Sequence, residues 1–527
     1  MEVAVDTARD RPSFWSTEAL PARPALDRDL DVDVIVLGGG LTGLTSAWLL
    51  AQAGVRVALV ERRTLASGDT GHTTAHLTVV TDARPHELVG LIGAEEAAAL
   101  WAAGRAGLQE VERLAASLPV SCDLKRVPAM LHEPFDLRAD HEAELGAALK
   151  RDAELAREWG IDASFVEEVP LVGRPGVRFD DQALFHPTKY LRGIAGALVA
   201  AGVPIYEHSE AGFTDDPEVL ECRGHRIRAR WVVMATHNPL SGRQGFAAAS
   251  RLQTRLSLYT THAVRATLPG ASLHAGLYWD TGDPYRYLRI EEAPDGWSVI
   301  AGGEDHKTGQ APDTRVAQAA LGAWLHRLLP RAEITHRWSG QVIETPDGAP
   351  FIGEVADRQW IATGFAGNGM TFGTLAAMMV RDAVTGVANP WSRVVSPERA
   401  AALRAPWEYI KENVDFPYYL MKRLFGRHAG RALDDIRHGE GAVVSLDGQS
   451  IAASRDPEGR LHLRSAICTH MGCEVAWNPS DQTWDCPCHG SRFTASGDVI
   501  SGPAERPLDE PAPGARRAAS DARASRP

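Results

Sequence analysis

Apolar and polar positions near the start of the chain follow a strand, helix, strand order. Asp33–Leu37 (DVIVL) is a short apolar run that leads into glycines, which predicts a buried parallel strand followed by a turn. Leu41–Gln52 is rich in apolar and small residues and predicts a helix that is ended by Gly54, and Val55–Val60 predicts a second strand. This order predicts a βαβ unit and hence an α/β fold.

Longer segments downstream extend the same pattern. Ala94–Leu118 and Arg138–Trp159 are rich in Ala, Leu and Glu and predict amphipathic helices. Ile227–Ala235 and Trp360–Thr363 predict later strands of the first sheet.

The pattern changes after about residue 390. Arg393–Arg431 mixes Pro, charged and aromatic residues and predicts a connector, with peripheral membrane contact as the weaker alternative. Ala442–Leu446, Ser450–Ser454 and Leu461–Ala466 are short alternating segments, which predict a small all-β domain. Pro511–Pro527 is low in apolar residues and predicts a disordered tail.

Length and charge narrow the class of protein. A chain of 527 residues is too long for one hydrophobic core and indicates several domains. The formal net charge of -13 argues against nucleic acid as a general partner. No apolar run reaches the roughly 20 residues that span a bilayer, and Met1–Leu20 has neither an apolar core nor a twin-arginine pair. We therefore expect a cytoplasmic protein.

The cysteines indicate a metal site. Four of the six cysteines fall between Cys468 and Cys488, which favours metal binding over a disulfide scaffold. Cys468 and His470 form a Cys-x-His pair, and Cys486 and His489 form a Cys-x-x-His pair. A [2Fe–2S] cluster with one iron on two thiolates and the other on two imidazoles needs this donor set. Zinc is the alternative, although these are not the usual finger spacings.

The two motifs resemble those of Rieske iron–sulfur proteins, over about residues 439–507. Cys473 and Cys488 stand where the respiratory cytochrome bc type carries a disulfide between the cluster loops, so the resemblance implies that bond here. Gly502-Pro503-Ala504 resembles the proline loop that covers the cluster in the same branch.

Two further positions bear on the cluster's potential. In the respiratory branch a Ser and a Tyr donate hydrogen bonds to the cluster, and such bonds raise the reduction potential. This chain keeps Ser491 but has Phe493 at the Tyr position. We therefore expect a potential below that of the respiratory proteins.

A second cofactor motif stands near the N-terminus. Gly38, Gly40 and Gly43 form Gly-x-Gly-x-x-Gly between a predicted strand and a predicted helix. Such a turn allows a pyrophosphate to approach the helix N-terminus. Glu61 ends the second strand, where an acidic residue can bind ribose hydroxyls.

Five later segments resemble the D-amino-acid oxidase superfamily in the same order along the chain: Ser67–Thr74, His186–Tyr190, Val232–His237, Asp347–Gly353 and Ala362–Thr371. The resemblance implies bound FAD and a Rossmann-like FAD domain interleaved with an α+β substrate domain. The FAD contacts it implies are Gly38, Gly40, Leu41, Thr42, Gly43, Glu61, Arg62, Thr70, His72, Thr73, Thr74, Ala235, Thr236, Gly364, Gly367, Asn368, Gly369, Met370 and Thr371.

These resemblances divide the chain into an N-terminal extension (1–29), an FAD-dependent oxidoreductase (30–392), a linker (393–435), a Rieske domain (436–510) and a tail (511–527). Within the oxidoreductase, the FAD parts are at about 30–90, 186–240 and 338–392. The substrate parts are at about 91–185 and 241–337.

His72 leaves two alternatives open. Its place in the loop resembles the histidine that carries covalent flavin in the dimethylglycine and sarcosine dehydrogenase branch, but that branch has Trp where this chain has Gly71. A loop histidine without a covalent bond is the favoured interpretation.

The resemblance implies an oxidoreductase that oxidises the C–N bond of a small amine or amino-acid derivative. Electrons would pass from FAD to the cluster and on to an unidentified external acceptor. Relatives that oxidise glycine or D-amino acids clamp the substrate carboxylate with an Arg in a Gly-Leu-Arg-Pro run. The matching stretch here is Gly340-Gln-Val342, so that clamp is absent.

Catalytic residues are only weakly indicated. Alternation along the predicted substrate-side strand puts Tyr285, Tyr287 and Arg289 on one face and Arg286 on the other. The weak candidates for contact with substrate are Tyr285, Arg286, Arg289 and His306, with Lys307 beside the last.

Two rival functions stay open. One is an NAD(P)H-linked electron-transfer reductase, although the sequence shows one dinucleotide motif and no second. The other is a redox sensor without catalysis.

Overall fold

The computed structural model describes residues 13–17, 20–135, 142–270, 272–294, 296–399, 405–414, 418–419 and 432–513, without the side chains of 142–144 and 408. Most of residues 1–12, 400–431 and 514–527 therefore lies outside the described residues, and with it most of the predicted linker and tail.

The first sheet is built around the predicted βαβ unit. Its spatial order is β16-β17-β10-β1-β2-β7, with β9 on β10 and β8 on β9. The central neighbours β10, β1, β2 and β7 are parallel, and the C-terminal ends of β1 and β10 and all of β2 and β7 are buried, which explains the apolar runs there. The strands are β1 (Leu30–Leu37), β2 (Val57–Val60), β7 (Ile205–Tyr206), β8 (Ala211–Phe213), β9 (Val219–Cys222), β10 (His225–Met234), β16 (Phe351–Ala356) and β17 (Gln359–Thr363).

Three helices pack together against this sheet. They are α1 (Leu41–Gln52), α5 (Pro187–Ala200) and α8 (Gly369–Thr385). Helix α1 is apolar around most of its circumference, and Leu44, Ala47 and Leu50 have no exposed surface. The predicted bounds of α1 are confirmed, and the predicted strands at residues 33, 55, 227 and 360 are confirmed to within a few residues.

The second sheet is mostly antiparallel, in the order β15-β11-β14-β13-β12-β4-β6-β3 with β5 on β6. Its long central strands bury Val264, Ile290, Val299 and Ala301 against α7 (Thr314–Leu328), which carries Leu321 and Leu325 into the same core. Its strands are β3 (His76–Leu77), β4 (Lys125–His132), β5 (Ala163–Val166), β6 (Gly176–Leu184), β11 (Ser257–Leu268), β12 (Gly276–Asp280), β13 (Arg286–Ala293), β14 (Gly296–Lys307) and β15 (Glu333–Glu344).

The remaining helices connect the two sheets and flank them. The predicted helices at 94 and 138 correspond to α3 (Ala94–Ser117) and α4 (Glu142–Glu158), and α3 packs against α8. The others are α2 (Pro85–Ile92), α6 (Gly245–Gln253) and α9 (Pro406–Asn413). No helix among the residues that the structure describes is long and apolar enough to cross a membrane.

The C-terminal part is a small all-β unit, as predicted. Three strands form one sheet and four form another, in sequence order in both. The strands are β18 (Gly441–Leu446), β19 (Gln449–Arg455), β20 (Leu461–Ser465), β21 (Ala476–Asn478), β22 (Thr483–Asp485), β23 (Arg492–Phe493) and β24 (Val499–Ser501). A disulfide joins Cys473 and Cys488 across the two loops that carry the predicted cluster ligands.

Candidate redox site

A cavity of about 350 Å³ opens where the parallel strands of the first sheet end. Gly38 follows β1, Glu61 follows β2 and Ala235 follows β10, and all three line it. The carboxyl ends of parallel strands are the usual ligand site of such sheets. The second sheet closes the cavity from the other side, through Thr261 and Tyr287.

The glycine turn has no room for side chains. A Cβ on Gly38, whose φ is +110°, would lie 2.4 Å from the Ala235 carbonyl oxygen, and a Cβ on Gly43 would lie 1.9 Å from the Gly38 carbonyl oxygen. Helix α1 begins at this turn after Gly40, and the Thr70 hydroxyl accepts a hydrogen bond from the Leu41 backbone N–H at 3.2 Å. The turn therefore fits a dinucleotide whose pyrophosphate lies at the helix N-terminus.

Glu61 is fixed at the edge of the turn. Its carboxylate accepts hydrogen bonds from the backbone N–H of Gly39 and of Arg63, both at 2.7 Å. Glu61 lines the cavity beside Arg62, in the place expected for an acid that binds ribose.

Nearly all of the predicted FAD contacts line this cavity. Gly43 and Thr371 are the two that do not: Gly43 packs under the turn, and the Thr371 hydroxyl donates to the Thr78 carbonyl at 2.7 Å. His72 lines the cavity, and its Nδ1 lies 3.0 Å from the Gly68 carbonyl oxygen.

Of the predicted substrate contacts, only Tyr285 lines the cavity, together with Tyr287. Arg286 faces away and pairs with Glu304 at 2.8 Å. The buried Arg289 donates to the carbonyl oxygens of Ala75 and Phe185 and pairs with Glu291.

His306 and Lys307 lie elsewhere on the second sheet. His306 stacks on His262 with ring centroids 5.4 Å apart, and burial lowers the pKa of both rings. Lys307 pairs with Glu412 of α9 at 3.2 Å.

Several cavity residues were not predicted from the sequence. Asp82, Trp279 and Thr261 line the substrate-side wall. Four residues of the C-terminal unit also line the cavity: Ile500, Ser501, Gly502 and Ala504. The sequence marks Gly502 and Ala504 only as part of the loop over the cluster, and it does not place any of these residues at the cavity, because each reaches it through contacts between distant parts of the chain.

The four predicted cluster ligands converge in the C-terminal unit. The thiols of Cys468 and Cys486 are buried and contact each other, and the rings of His470 and His489 have centroids 5.0 Å apart. The His470 Nε2 is buried and has no hydrogen-bond partner among the described residues. Sulfur paired with sulfur and imidazole paired with imidazole is the arrangement that fits a Rieske [2Fe–2S] cluster.

Ser491 and Phe493 occupy the neighbourhood of these ligands. The Ser491 hydroxyl contacts Cys468 and accepts a hydrogen bond from the Ala504 backbone N–H at 3.1 Å, so it ties the predicted proline loop to the cluster site. Phe493 is fully buried beside Cys468 and Cys486.

The C-terminal unit packs directly on the second sheet. A Cβ on Gly490 would lie 2.5 Å from the Leu258 Cβ, and a Cβ on Gly309 would lie 2.8 Å from the Cys486 carbonyl carbon. Hydrogen bonds between the two parts run from Arg62 to the Ile500 carbonyl, from Ser241 to Glu505, from Gln310 to the Pro487 carbonyl, from Thr314 to Asn478, from Ser339 to Asp481 and from Gln341 to the Gly490 carbonyl.

A buried ionic network supports this contact. The Arg492 guanidinium binds Asp481 at 2.7 Å and Asp485 at 3.2 Å, and only 4% of its side chain is exposed. Burial alone would raise the pKa of Asp481, but Arg492 and the Ser339 hydroxyl hold it below its usual range. Asp481 is therefore an anion that links the second sheet to the cluster-bearing unit.

Comparison with known proteins agrees with both sites. The family model described as FAD dependent oxidoreductase matches residues 33–383. The chain belongs to this family. A second model, the Rieske [2Fe-2S] domain, matches residues 429–512. The protein is thus an FAD-dependent oxidoreductase with a Rieske domain, and its cofactors are FAD and a [2Fe–2S] cluster.

One relative resembles this oxidoreductase over nearly its whole length. The Putative Rieske 2Fe-2S iron-sulfur protein YhfW of Bacillus subtilis (strain 168) is 31% identical over 516 residues, which cover 95% of this chain and 98% of the relative. Cytochrome b6-f complex iron-sulfur subunit 2 of Trichormus variabilis (strain ATCC 29413 / PCC 7937) is 63% identical over 68 residues, 12% of this chain and 38% of the relative.

Among solved structures, L-proline dehydrogenase from P. horikoshii is similar to the oxidoreductase part. It has a TM-score of 0.58 at 19% identity, and the match covers 70% of this chain and 98% of that one. The likeness supports the fold of this part of the chain.

Phe493→Tyr should raise the midpoint potential of the cluster. The buried Phe493 ring belongs to the same apolar core as Cys468 and Cys486, so we expect a hydroxyl there to donate to a cluster or cysteine sulfur, and such bonds favour the reduced form. Protein-film voltammetry measures the midpoint. Trp477→Phe, a change in the same core away from the ligands, is the control. A midpoint that stays unchanged or falls in Phe493→Tyr would contradict the assigned position of this ring.

Proposed function

We propose that this oxidoreductase oxidises the C–N bond of a small amine or amino-acid derivative and passes the electrons from FAD to the Rieske cluster and on to an external one-electron acceptor. The observation that carries the proposal is that the cluster-bearing unit forms part of the flavin cavity, through Ile500, Ser501, Gly502 and Ala504.

The reaction balances as follows. The substrate carbon loses a hydride and its nitrogen loses a proton, so that a C=N bond forms. FAD, when bound, would accept the hydride and would release the remaining proton to solvent as its two electrons leave, and a Rieske cluster would pass these on one at a time. Two equivalents of a one-electron oxidant, a redox protein in the cell or ferricyanide in an assay, complete each turnover.

Strand β15 links the two redox sites. On the flavin side, the Gln341 backbone N–H donates to Asp69 at 2.9 Å, and the Trp338 indole donates to the His72 carbonyl at 2.8 Å. On the cluster side, the Gln341 side-chain amide donates to the carbonyl of Gly490 at 2.8 Å. Gly490 follows the ligand His489. One residue therefore connects the flavin loop to a cluster-ligand loop by two hydrogen bonds.

The similarity to solved structures bears on the class of substrate. The similar solved structure, L-proline dehydrogenase, is by its name an enzyme that oxidises an amino acid. This supports an amine or amino-acid derivative as substrate. The NAD(P)H-linked reductase and the redox sensor are outcomes of the following test.

Anaerobic titration should bleach the flavin with an amine and not with NADH. Small amines, amino acids and NADH are added separately to the holoenzyme, and the flavin absorbance is followed. Bleaching by NADH alone would indicate the electron-transfer reductase. If no compound bleaches the flavin while dithionite does, the sensor interpretation replaces the proposal.

Gln341→Leu should slow the transfer of electrons from the flavin to the cluster. The change removes a buried hydrogen bond to Gly490; a loss of about 1.4 kcal/mol corresponds to a tenfold fall in the equilibrium constant for docking of the loop. Stopped-flow absorbance after mixing with the reducing amine resolves flavin bleaching from cluster reduction. We expect the second phase to slow by about tenfold and the first to keep its rate.

Gln310→Leu is the matched control for this prediction. Gln310 also donates its side-chain amide to a carbonyl of the same loop, that of Pro487, at 2.9 Å, but it lies outside β15. Equal slowing in both variants would show that loop docking in general, and not the connection through β15, limits the rate.

A further inference from the structure

The substrate-side end of the flavin cavity is acidic and aromatic. Asp82, Tyr285, Tyr287 and Trp279 line this end. Protein surrounds the Asp82 carboxyl, although its side chain opens onto the cavity. Two further carboxyl groups, those of Asp305 and Glu344, lie close enough to act on Asp82, and we call these three residues the acidic cluster.

Burial and neighbouring carboxyl groups raise the pKa of each member of the acidic cluster. Burial raises the pKa of Asp82 to about 6, with a further contribution from Glu87, against the hydrogen bond from the Tyr285 hydroxyl. Burial and Asp82 raise the pKa of Asp305 to about 7, although the Thr261 hydroxyl opposes the shift. Burial raises the pKa of Glu344 well above its usual range. A cation beside the cluster would stabilise the ionised form of these carboxyl groups and lower their pKa values, so the cluster favours a cationic ligand over an anionic one.

The nearby basic side chains are engaged with other acids. Arg286 pairs with Glu304, Arg289 with Glu291 and Lys307 with Glu412. Lys411 is the cation that acts on Glu344.

Asp305, which contacts the cavity residue Thr261, has an unsatisfied side-chain oxygen. One of its oxygens contacts Thr261, whose hydroxyl lies 3.2 Å from that of the cavity residue Tyr287. Its other oxygen, Oδ1, is buried and has no hydrogen-bond partner among the described residues. A buried, unsatisfied carboxylate oxygen is costly, and a donor from outside the protein would remove the cost.

Two tyrosines suit a cationic ligand as well. The rings of Tyr285 and Tyr287 have centroids 5.7 Å apart, and Gly302, opposite Tyr287 on β14, leaves room for that ring: a Cβ there would lie 2.1 Å from the Tyr287 Cζ. Aromatic faces attract ammonium groups, and more strongly when water is excluded.

We propose that the substrate is a cationic amine without a carboxylate, and that its ammonium group lies beside Asp82 and the rings of Tyr285 and Tyr287. This inference rests on the proposed function, because it specifies which amines the enzyme oxidises. A substrate carboxylate at this end of the cavity would lie against the Asp82 carboxyl, with the carboxyl groups of Asp305 and Glu344 nearby, whereas an ammonium would pair with Asp82.

The chemistry is consistent with this placement. An ammonium R–CH2–NH3⁺ that loses a proton and then a hydride becomes an iminium R–CH=NH2⁺, so the positive charge beside the acidic cluster is kept. The proton passes to the Asp82 carboxylate in the cavity wall, and the hydride goes to FAD. Asp82, with its pKa raised toward neutrality, is suited to take up and release that proton.

The test uses a cation that cannot be oxidised. Benzyltrimethylammonium has no N–H and cannot form a C=N bond, so calorimetric titration of the holoenzyme reports binding without turnover. We expect it to bind and to perturb the flavin spectrum, whereas benzoate and benzyl alcohol, its anionic and neutral counterparts, should bind at least about tenfold more weakly.

Asp82→Asn should weaken binding of this cation by about tenfold, because it removes the charge and keeps the shape of the side chain. Asp216→Asn, a change of an exposed acid in a surface turn, is the control and should bind normally. If Asp82→Asn does not fold, Asp305→Asn should show weaker binding of the cation in the same direction.

Binding of the cation should also weaken as the pH falls from about 7 to below 6. The probe itself does not titrate, and protonation of Asp305 and Asp82 removes negative charge from the cluster. Tyr285 stays neutral over this range, as does His76, whose pKa burial lowers to about 3, and Glu87 contributes a further negative charge.

Two results would overturn the inference: benzoate binding more tightly than the cation, or Asp82→Asn binding the cation as the wild type does. Cation binding that depends on Asp82, without flavin bleaching by any amine, would support the inference and contradict the proposed function. Bleaching by amino acids that carry a carboxylate, without cation binding, would support the proposed function and contradict the inference.

Discussion

The docking of the cluster-bearing unit on strand β15 is the contact on which the account of this oxidoreductase depends. β15 is the edge strand of the second sheet, so half of its backbone N–H groups point away from β11. Asp69 of the flavin loop accepts the hydrogen bond of one of them, at Gln341. Alternate side chains of the same strand, Ser339 and Gln341, bind the Rieske domain. An edge that could pair with another strand is used instead to hold two cofactor loops near each other.

A buried network of charged side chains favours one orientation of the Rieske domain at this contact. Arg492 is almost fully buried, and it is stable there because Asp481 and Asp485 bind it, while Asp69 across the interface adds to the attraction. Removal of one partner from such a network leaves a buried charge without compensation, which typically costs roughly 3–5 kcal/mol. The network therefore favours one orientation of the Rieske domain, with Gly490 on Leu258 and residues 500–504 at the cavity.

Much of the two cofactor sites is local in sequence and could be predicted. The cluster ligands Cys468, His470, Cys486 and His489 lie on two short loops, and Gly38–Gly43 follows one strand directly. The disulfide between Cys473 and Cys488, expected from resemblance alone, is present. The substrate-side wall was not predictable in this way. Apart from Tyr285, which the sequence indicated, the wall includes Asp82, Trp279 and the residues near Ile500, which come together only because two sheets and the Rieske domain meet. Arg286 and Arg289 pair with acids whose proximity follows from strand geometry.

The dependence of cluster reduction on protein concentration tests the central claim most directly, namely that the flavin reduces the cluster of its own chain. The holoenzyme is mixed anaerobically with one equivalent of a reducing amine, and the rate of cluster reduction is followed by absorbance and by freeze-quench electron paramagnetic resonance over a wide range of protein concentration. The account predicts flavin bleaching first, then cluster reduction with a rate constant that does not change with protein concentration. A rate constant that rises in proportion to protein concentration, or a cluster that stays oxidised beside fully reduced flavin, would contradict it.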